Sequence, residues 1–252
     1  MLQLSALVRR LVPSAFIACL AACGGAPASV INPPPSGLPE PGQGPSLPTP
    51  ALPGPGDAEL SALLSKIEAS TRPLRPYEAV NQVQEWSAGK QQRSQAKLLF
   101  RPPSTARNEF LSGNGPPVGM AVLSQGGPTV QIKLPGALSF VKMTVSSRDS
   151  RSRSLVGLYP DEVTPASFAG LMRQPTARLV LAGRERLGQR EVALIRIEGA
   201  RLPGGMEGAA VGFDARSGEW LLGRFYRGRQ LAYESAYVRR VERTIQDREL
   251  EL

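Results

Sequence analysis

The apolar residues of this chain follow a helical spacing in one segment near residue 60. Four of them recur at i, i+3, i+4 and i+7, on one face of a helix: Leu60, Leu63, Leu64 and Ile67. Asp57 is a suitable N-cap for this segment, and Pro73 cannot continue it. The spacing therefore predicts an amphipathic helix over residues 58–69.

Beyond residue 76 the pattern changes to short segments with alternating apolar residues, which turn residues separate. Candidate strands cover residues 77–86, 93–101, 106–111, 119–124, 129–134, 139–145, 177–182, 191–198, 209–214, 220–226 and 231–239. Connections such as 214–218 and 227–230 contain glycine and are typical of hairpin loops. The predicted fold class is therefore mainly β with α (α+β), built on a curled antiparallel sheet.

A second predicted helix interrupts the run of strands. Thr164 can cap it, and Pro165 suits its first position. Its apolar face consists of Phe168, Leu171 and Met172. We expect the apolar faces of both helices to lie on the concave side of the sheet, near Leu98 and Phe100.

The start of the chain has the order of charged, apolar and small residues that is typical of a secretory signal. Arg9 and Arg10 precede an apolar run over residues 11–20, and small residues then lead to Cys23. This run is about half of the roughly 20 residues that a membrane span needs. The tetrapeptide Leu-Ala-Ala-Cys resembles the lipobox of bacterial lipoproteins, which implies removal of residues 1–22 and acylation of Cys23.

The remaining chain divides into a linker, a folded domain and a tail. Residues 23–56 are rich in proline and glycine and cannot bury an apolar core, so they indicate a disordered linker behind the acylated cysteine. Residues 57–245 contain both predicted helices and all candidate strands. Residues 246–252 are interpreted as a polar C-terminal tail.

The lipobox resemblance also predicts a location. In such lipoproteins an aspartate after the cysteine often causes retention at the inner membrane, and this chain has Gly24 instead. We therefore expect an outer-membrane lipoprotein whose domain faces the periplasm, and the sequence leaves a surface-exposed orientation open.

Composition removes several classes of function. The chain has no histidine, and its two cysteines, Cys19 and Cys23, fall in the signal and the anchor. Histidine-based catalysis, the usual zinc sites and disulfides in the folded domain are therefore excluded. We find no nucleotide-binding loop, no spacing of metal ligands and no reacting constellation, so we expect no cofactor, no metal and no enzymatic activity.

The net charge of +9 allows two interpretations, namely an anionic partner and the arginine bias that is typical of a GC-rich genome. An exported lipoprotein rarely meets nucleic acid, so anionic lipid and lipopolysaccharide are the favoured partners. The basic run 148–154 provides three candidate anion-binding residues, Arg148, Arg151 and Arg153. Two interpretations of this run stay open, namely bidentate contacts to phosphate and a solvated hairpin tip.

Three stretches of the predicted domain carry a family resemblance. They are DAELSALL at 57–64, AKLLFRP at 96–102 and VGFDARSGEWL at 211–221. In order and spacing they resemble LolA and LolB, the periplasmic lipoprotein carriers. The resemblance covers residues 57–245 and implies a half-open antiparallel β-barrel, LolA/LolB-like, with helices as a lid. It also implies that Arg101 closes the lid, whereas the sequence alone equally allows an exposed strand end before a proline.

The same resemblance implies a cavity for acyl chains. The residues expected around it are Leu60, Leu63, Leu64, Ile67, Leu98, Phe100, Phe168, Leu171 and Met172. We therefore expect a non-enzymatic domain, tethered to the outer membrane through Cys23, that binds the acyl chains of lipids or lipoproteins. The alternative is an envelope sensor or scaffold lipoprotein that binds a protein partner with the same fold. The sequence leaves the oligomeric state open.

Overall fold

Within residues 56–71 and 75–252, which the computed structural model describes, eleven strands form one antiparallel sheet. They are β1 (Tyr77–Ser87), β2 (Lys90–Arg101), β3 (Thr105–Gly113), β4 (Ala121–Ser124), β5 (Thr129–Lys133), β6 (Lys142–Ser146), β7 (Arg178–Leu187), β8 (Arg190–Glu198), β9 (Gly208–Asp214), β10 (Trp220–Arg227) and β11 (Gln230–Glu242). The same part of the chain has three α-helices, α1 (Gly56–Thr71), α2 (Pro165–Met172) and α3 (Asp247–Leu250). The predicted signal segment 1–22, Cys23 and the linker residues 24–55 lie outside the described residues.

The strand order shows how the chain builds the sheet from its middle. The order is β6-β5-β4-β3-β2-β1-β11-β10-β9-β8-β7, so the first and last strands pair with each other at the centre. The chain proceeds outward to β6, crosses to the other edge through residues 147–177, and returns from β7 to β11. Within the described sheet, β6 and β7 are free edges, so the sheet is not closed into a barrel.

The predicted fold class is confirmed, and all eleven predicted strands are present. The largest shift of a strand boundary is at β7, which continues to Leu187 instead of ending at residue 182. The register between β7 and β8 shifts between Leu181 and Gly183, and Gly183 has a φ of 132°. This bulge bends the strand, and residues 183–187 continue the pairing with β8 beyond it. Most of these residues are charged, so the alternation of apolar residues did not predict this part of β7.

Both predicted helices lie on one face of the sheet, which we call the helix face. Leu63 of α1 and Phe168 of α2 are buried in the same apolar cluster as Leu98, Val211 and Phe225. The helix α1 also lies against the turn after β9, because Ser70 Oγ donates to the Gly218 carbonyl at 2.9 Å and Lys66 Nζ to the Ala215 carbonyl at 3.1 Å.

On the opposite face, three small residues of β9 are covered by side chains of the neighbouring strands: Gly208, Ala210 and Gly212. A Cβ at Gly212 would lie 2.6 Å from Val192 Cγ1 and 2.9 Å from Leu222 Cβ. Side chains from β8 and β10 therefore meet directly over this glycine, and an apolar cluster forms on this face as well.

A buried ion-pair network accompanies that second cluster. Arg224 donates through Nε to Glu234 at 2.6 Å, and its other two nitrogens donate to both carboxylate oxygens of Glu185 at 2.8 and 2.9 Å. Only 1% of the Glu234 side chain is exposed, so its charge depends on this arginine.

The C-terminal residues 246–252 pack against the first half of the sheet. They include α3, whose Leu250 is buried against Leu99 of β2 together with Ile245. The final residue, Leu252, is buried against Leu123 of β4. The sequence interpretation of a polar tail rested on its charged residues. The two leucines determine its packing, since apolar surface removed from water stabilises the docked segment.

Candidate functional site

The structure brings the nine residues predicted for an acyl cavity into one apolar cluster on the helix face. Four of them are buried, namely Leu63, Leu98, Phe168 and Leu171. The other five are partly buried and pack against these: Leu60, Leu64, Ile67, Phe100 and Met172. The helices and strands that carry these residues are thus placed as the amphipathic patterns predict.

Aromatic side chains fill the centre of this cluster. The Phe168 ring stacks on Phe225 with a centroid separation of 4.7 Å, and Trp220 meets Tyr237 edge-on at 4.6 Å. A Cβ at Gly223 would lie 2.5 Å from Phe168 Cε2, so the ring sits directly above this glycine. Above β10, side chains of the protein itself therefore occupy the space that an acyl chain would need.

Two buried tyrosines give this cluster a polar component. The hydroxyls of Tyr77 and Tyr237 lie 3.3 Å apart, and Arg240 stacks on the Tyr77 ring at 4.2 Å. Burial raises the pKa of Tyr237 well above its ordinary value, so the hydroxyl is neutral and available for hydrogen bonding. Trp220 Nε1 is buried and has no hydrogen-bond partner among the described residues.

The apolar helix face continues onto β3–β6, and on β5 and β6 its apolar residues alternate strictly with polar ones. Directly paired residues share a face, and two rows of paired residues extend from β2 across this half of the sheet. One row consists of Leu98, Asn108, Val122, Ile132 and Met143, and the other of Phe100, Ala106, Ser124, Val130 and Val145. Their neighbours on the opposite face of β5 and β6 are mostly exposed and polar, such as Gln131 and Thr144.

The side chains of these rows are less covered than the cluster beneath the helices. Val122, Met143 and Val145 are half-buried, whereas Val130 and Ile132 are buried. The main strand contacts of α1 and α2 are with β7 and β10, in the other half of the sheet. The rows on β3–β6 therefore offer an apolar surface next to a filled core. Sequence analysis did not assign them to the site, although Val130, Ile132, Met143 and Val145 alternate with polar residues as a one-sided strand pair should.

A buried carboxylate holds the crossover segment on the helix face. Glu85 of β1 is 4% exposed and accepts a hydrogen bond from the Leu155 backbone N–H at 2.6 Å. Burial raises the pKa of Glu85, and hydrogen bonds from Leu155, the Ser154 side chain and the Val156 backbone oppose this rise. From the other side, Arg227 Nη2 donates to the Val156 carbonyl at 2.7 Å. The crossover is thus fixed beside the cluster by groups that sequence analysis missed, since no local pattern marks Glu85.

Arg101 lies on the face opposite to the two lid helices. It shares this face with Leu99, two residues earlier on β2, and its guanidinium binds Asp247 of α3. Its described ion pair therefore connects β2 to the C-terminal segment. Arg107 on β3 has the same function, because its Nη1 donates to the Glu249 carbonyl at 3.1 Å.

Two of the three predicted anion-binding arginines, Arg148 and Arg153, lie against one tyrosine. The guanidinium carbons of Arg148 and Arg153 lie 4.9 and 4.8 Å from the centroid of the Tyr159 ring. Arg148 also pairs with Asp161 at 2.9 Å and with Glu162 at 2.7 Å, so carboxylates already balance its charge. Arg153 is exposed, and the Arg151 side chain lies outside the described part of the structure.

Two kinds of feature are absent from residues 56–71 and 75–252. This part of the chain holds no group of three or more acidic residues arranged to bind a metal ion. It also holds no helix that is both long and apolar enough to cross a membrane.

Comparisons with known proteins concern the fold. No family model matches the chain, and no curated protein sequence matches it either. A LolA superfamily protein from Nitrosomonas europaea is similar in structure, with 10% identity and a TM-score of 0.39 over 76% of this chain and 97% of that protein. MucB is similar with 15% identity and a TM-score of 0.49 over 79% of this chain and 64% of MucB. An uncharacterised conserved protein from Thermus thermophilus gives 15% identity and a TM-score of 0.47 over 76% of this chain and 91% of that one. LolA superfamily structures are thus among those similar to this chain, as the sequence resemblance predicts, and at this identity the likeness concerns the fold alone.

Proposed function

We propose that this chain is a non-enzymatic envelope protein that binds the acyl chains of lipids or lipoproteins on the helix face of its sheet. One observation carries the proposal. The helix face is apolar from the filled cluster under α1 and α2 to the rows on β3–β6, where Val122, Met143 and Val145 are half-buried, whereas the opposite face of β5 and β6 is polar. An acyl chain on these rows would extend the existing core and would remove apolar side chains from water.

The second part of the proposal concerns location. Acylation of Cys23 would hold the domain at the outer membrane on its proline-rich tether, because several acyl chains anchor a protein firmly. Fractionation of cells that produce the wild type or Cys23→Ala tests this part. We expect the wild type with the outer membrane and the variant in the soluble fraction. Identical fractionation of both would contradict the anchor.

A matched pair of substitutions on β6 tests the acyl-binding face. Val145 lies on the helix face and Thr144, its neighbour, on the opposite face. Val145→Gln should weaken binding of a fluorescent fatty-acyl probe about tenfold, because burial of a valine contributes about 1.5 kcal/mol. Thr144→Gln should leave the affinity unchanged. No uptake of the probe by the wild type, or equal effects of both substitutions, would reject the proposal.

The alternative function is binding of a protein partner. It is supported by the free edge at β6, which pairs with β5 on one side and has no strand on the other within the described sheet. Such an edge can accept an extended peptide as an additional strand. Thr144→Pro, which would remove a backbone donor from the free edge of β6, should abolish such binding and leave acyl-probe uptake unchanged.

A further inference from the structure

Four large apolar side chains are exposed at one end of β3–β6. They are Leu111, Val118, Leu138 and Phe140, and we call them the apolar tip. Phe140 is the most exposed of them, at 79%, and Val118 follows at 56%. Water contact with a phenylalanine costs free energy, so a cluster of such residues on a surface marks a contact site.

Two neighbouring loops form the tip. The loop after β3 carries Val118, and the loop between β5 and β6 carries Leu138 and Phe140. Both loops lie at the same end of the antiparallel strands. They touch each other, since a Cβ at Gly119 would lie 3.3 Å from Pro135 Cβ. Leu111 lies on β3, and backbone hydrogen bonds of 2.7 and 3.0 Å join its neighbour Phe110 to Gly119 and Met120, so the segments that carry the four side chains adjoin.

The two loops of the tip and the strands between them carry only positive charge, and the nearest carboxylate along the chain, Glu109, is paired with Arg107 at 3.2 Å. Between Glu109 and Asp149 the chain contains no acidic residue. Lys133 and Lys142 are directly paired across β5 and β6 at the base of the second loop. Like charges at such a position repel each other, and within the described residues neither lysine has a carboxylate partner, unlike most arginines of the domain. An external anionic surface would provide the missing counter-charge.

We propose that the apolar tip docks into an anionic phospholipid bilayer, with Phe140 at the level of the headgroups and Lys133 and Lys142 on the lipid phosphates. An aromatic ring favours this depth, and lysines extend their charge toward the headgroups along an apolar stem. Basic residues near an anionic leaflet add electrostatic attraction that salt weakens. The inference goes beyond the proposed function, because docking of the tip requires no bound acyl chain.

The tip also lies beside the rows on the helix face. Ile132 and Met143 are the row members next to the second loop, one residue inside Lys133 and Lys142. A docked tip would therefore bring the half-buried end of the apolar rows to the bilayer surface.

The test uses a tryptophan probe at the tip of the full-length chain. Because each tryptophan reports on its own position, an anchor at Cys23 does not alter the comparison between two positions. Phe140→Trp places an indole at the tip, and Val241→Trp places one at a 43% exposed apolar position on β11 as the matched control. The parent protein, which contains Trp86 and Trp220, supplies the background fluorescence. Vesicles contain phosphatidylcholine alone or mixed with phosphatidylglycerol, each with and without brominated acyl chains.

With the anionic vesicles we expect a blue shift and strong bromine quenching at position 140 and neither effect at position 241. Added salt, or the double substitution Lys133→Gln and Lys142→Gln, should reduce both signals at position 140. An unchanged spectrum at position 140, or equal quenching at both positions, would overturn the proposal and would imply that the tip contacts a protein instead. Because position 140 is exposed, each variant should keep the melting temperature of its parent, and acyl-probe uptake measured in parallel reports separately on the proposed function.

Discussion

Strands β9 and β10 are buried along almost their whole length, whereas β5 and β6 alternate between apolar and exposed polar residues. In the half formed by β7–β11, both faces carry apolar clusters, and the opposite face also buries the Arg224 network. In the half formed by β3–β6, the helix face carries the apolar rows. The opposite face is polar on β5 and β6, and on β4 its Ala121 and Leu123 are covered by the C-terminal Leu252. The comparison indicates that one half is a packed scaffold and the other is a surface with spare apolar area. A ligand can add to the second half without displacing the core of the first.

The largest loss of stability should occur in the half formed by β7–β11, when a buried charge loses its partner. Arg224→Ala leaves Glu234 buried and unpaired, which should reduce the free energy of unfolding by about 3–5 kcal/mol. The matched control is Arg75→Ala, which breaks the exposed pair with Glu242. Such a pair contributes about 0–1 kcal/mol. Denaturant unfolding measures both values, and equal losses would show that Glu234 is not buried in solution as the structure places it.

A smaller loss is expected where α2 meets β10. Gly223→Ala would place a methyl group 2.5 Å from the Phe168 ring, and overpacking of this kind costs about 1–3 kcal/mol. Gly170 lies in α2, and a Cβ at this position would meet no atom within 4 Å, so Gly170→Ala should stabilise the protein by about 0.5–1 kcal/mol. Thermal unfolding should thus give shifts of opposite sign. Shifts of the same sign would mean that Phe168 does not seat on Gly223.

Two carboxylates, one near the centre of the sheet and one in the packed half, should respond to acid in opposite directions. Burial raises the pKa of Glu85 above its ordinary value of 4.5, so the folded state binds the extra proton and stability rises as the pH falls through that window. Burial would raise the pKa of Asp214 too, but backbone N–H groups and Arg190 lower it below 3.8. Its contribution is therefore lost as the pH falls through the lowered value.

Unfolding at a series of pH values checks these signs against Glu85→Gln and Asp214→Asn. Relative to Glu85→Gln, the wild type should gain stability between neutral pH and 4.5. Relative to Asp214→Asn, it should lose stability below 3.8. A flat difference for Glu85→Gln would show that the crossover does not bury this carboxylate in solution.

The smallest effect is expected for Arg101. Its partner Asp247 is 87% exposed, so Arg101→Leu should change the free energy of unfolding by no more than about 1 kcal/mol. The structure places this arginine against α3, so we expect acyl-probe affinity and release to be unchanged. A faster release of the probe would support the lid role that the family resemblance implies. Lys97→Leu, which removes another partly exposed pair from β2, is the control.

Local patterns in the sequence predicted the strands, the two lid helices and the apolar face of each. Helical spacing gave Leu60 to Ile67 one face, and period-two alternation placed Leu98 and Phe100 on one side of β2. These signals are local because a side chain's direction depends on its position in the repeat. Local patterns did not predict that residues 246–252 pack against the sheet. Leu250 and Leu252 contact residues of β2 and β4 that are distant in the sequence.

Only the tertiary structure decided which strands are neighbours. The pairing of strands also decided that one half of the sheet is densely packed and that the other has apolar surface left uncovered. Pairing of β1 with β11 and the small residues of β9 bring side chains together across long stretches of sequence, so Arg224 finds Glu185 and Phe168 finds Gly223. Pairing across β4, β5 and β6 likewise assembles separate alternating segments into one apolar surface and places Lys133 beside Lys142. The sequence determines which face of a strand is apolar, since that depends on adjacent residues. Contact between strands depends on the path of the whole chain, so the sheet decides which apolar faces are covered and which remain available to bind.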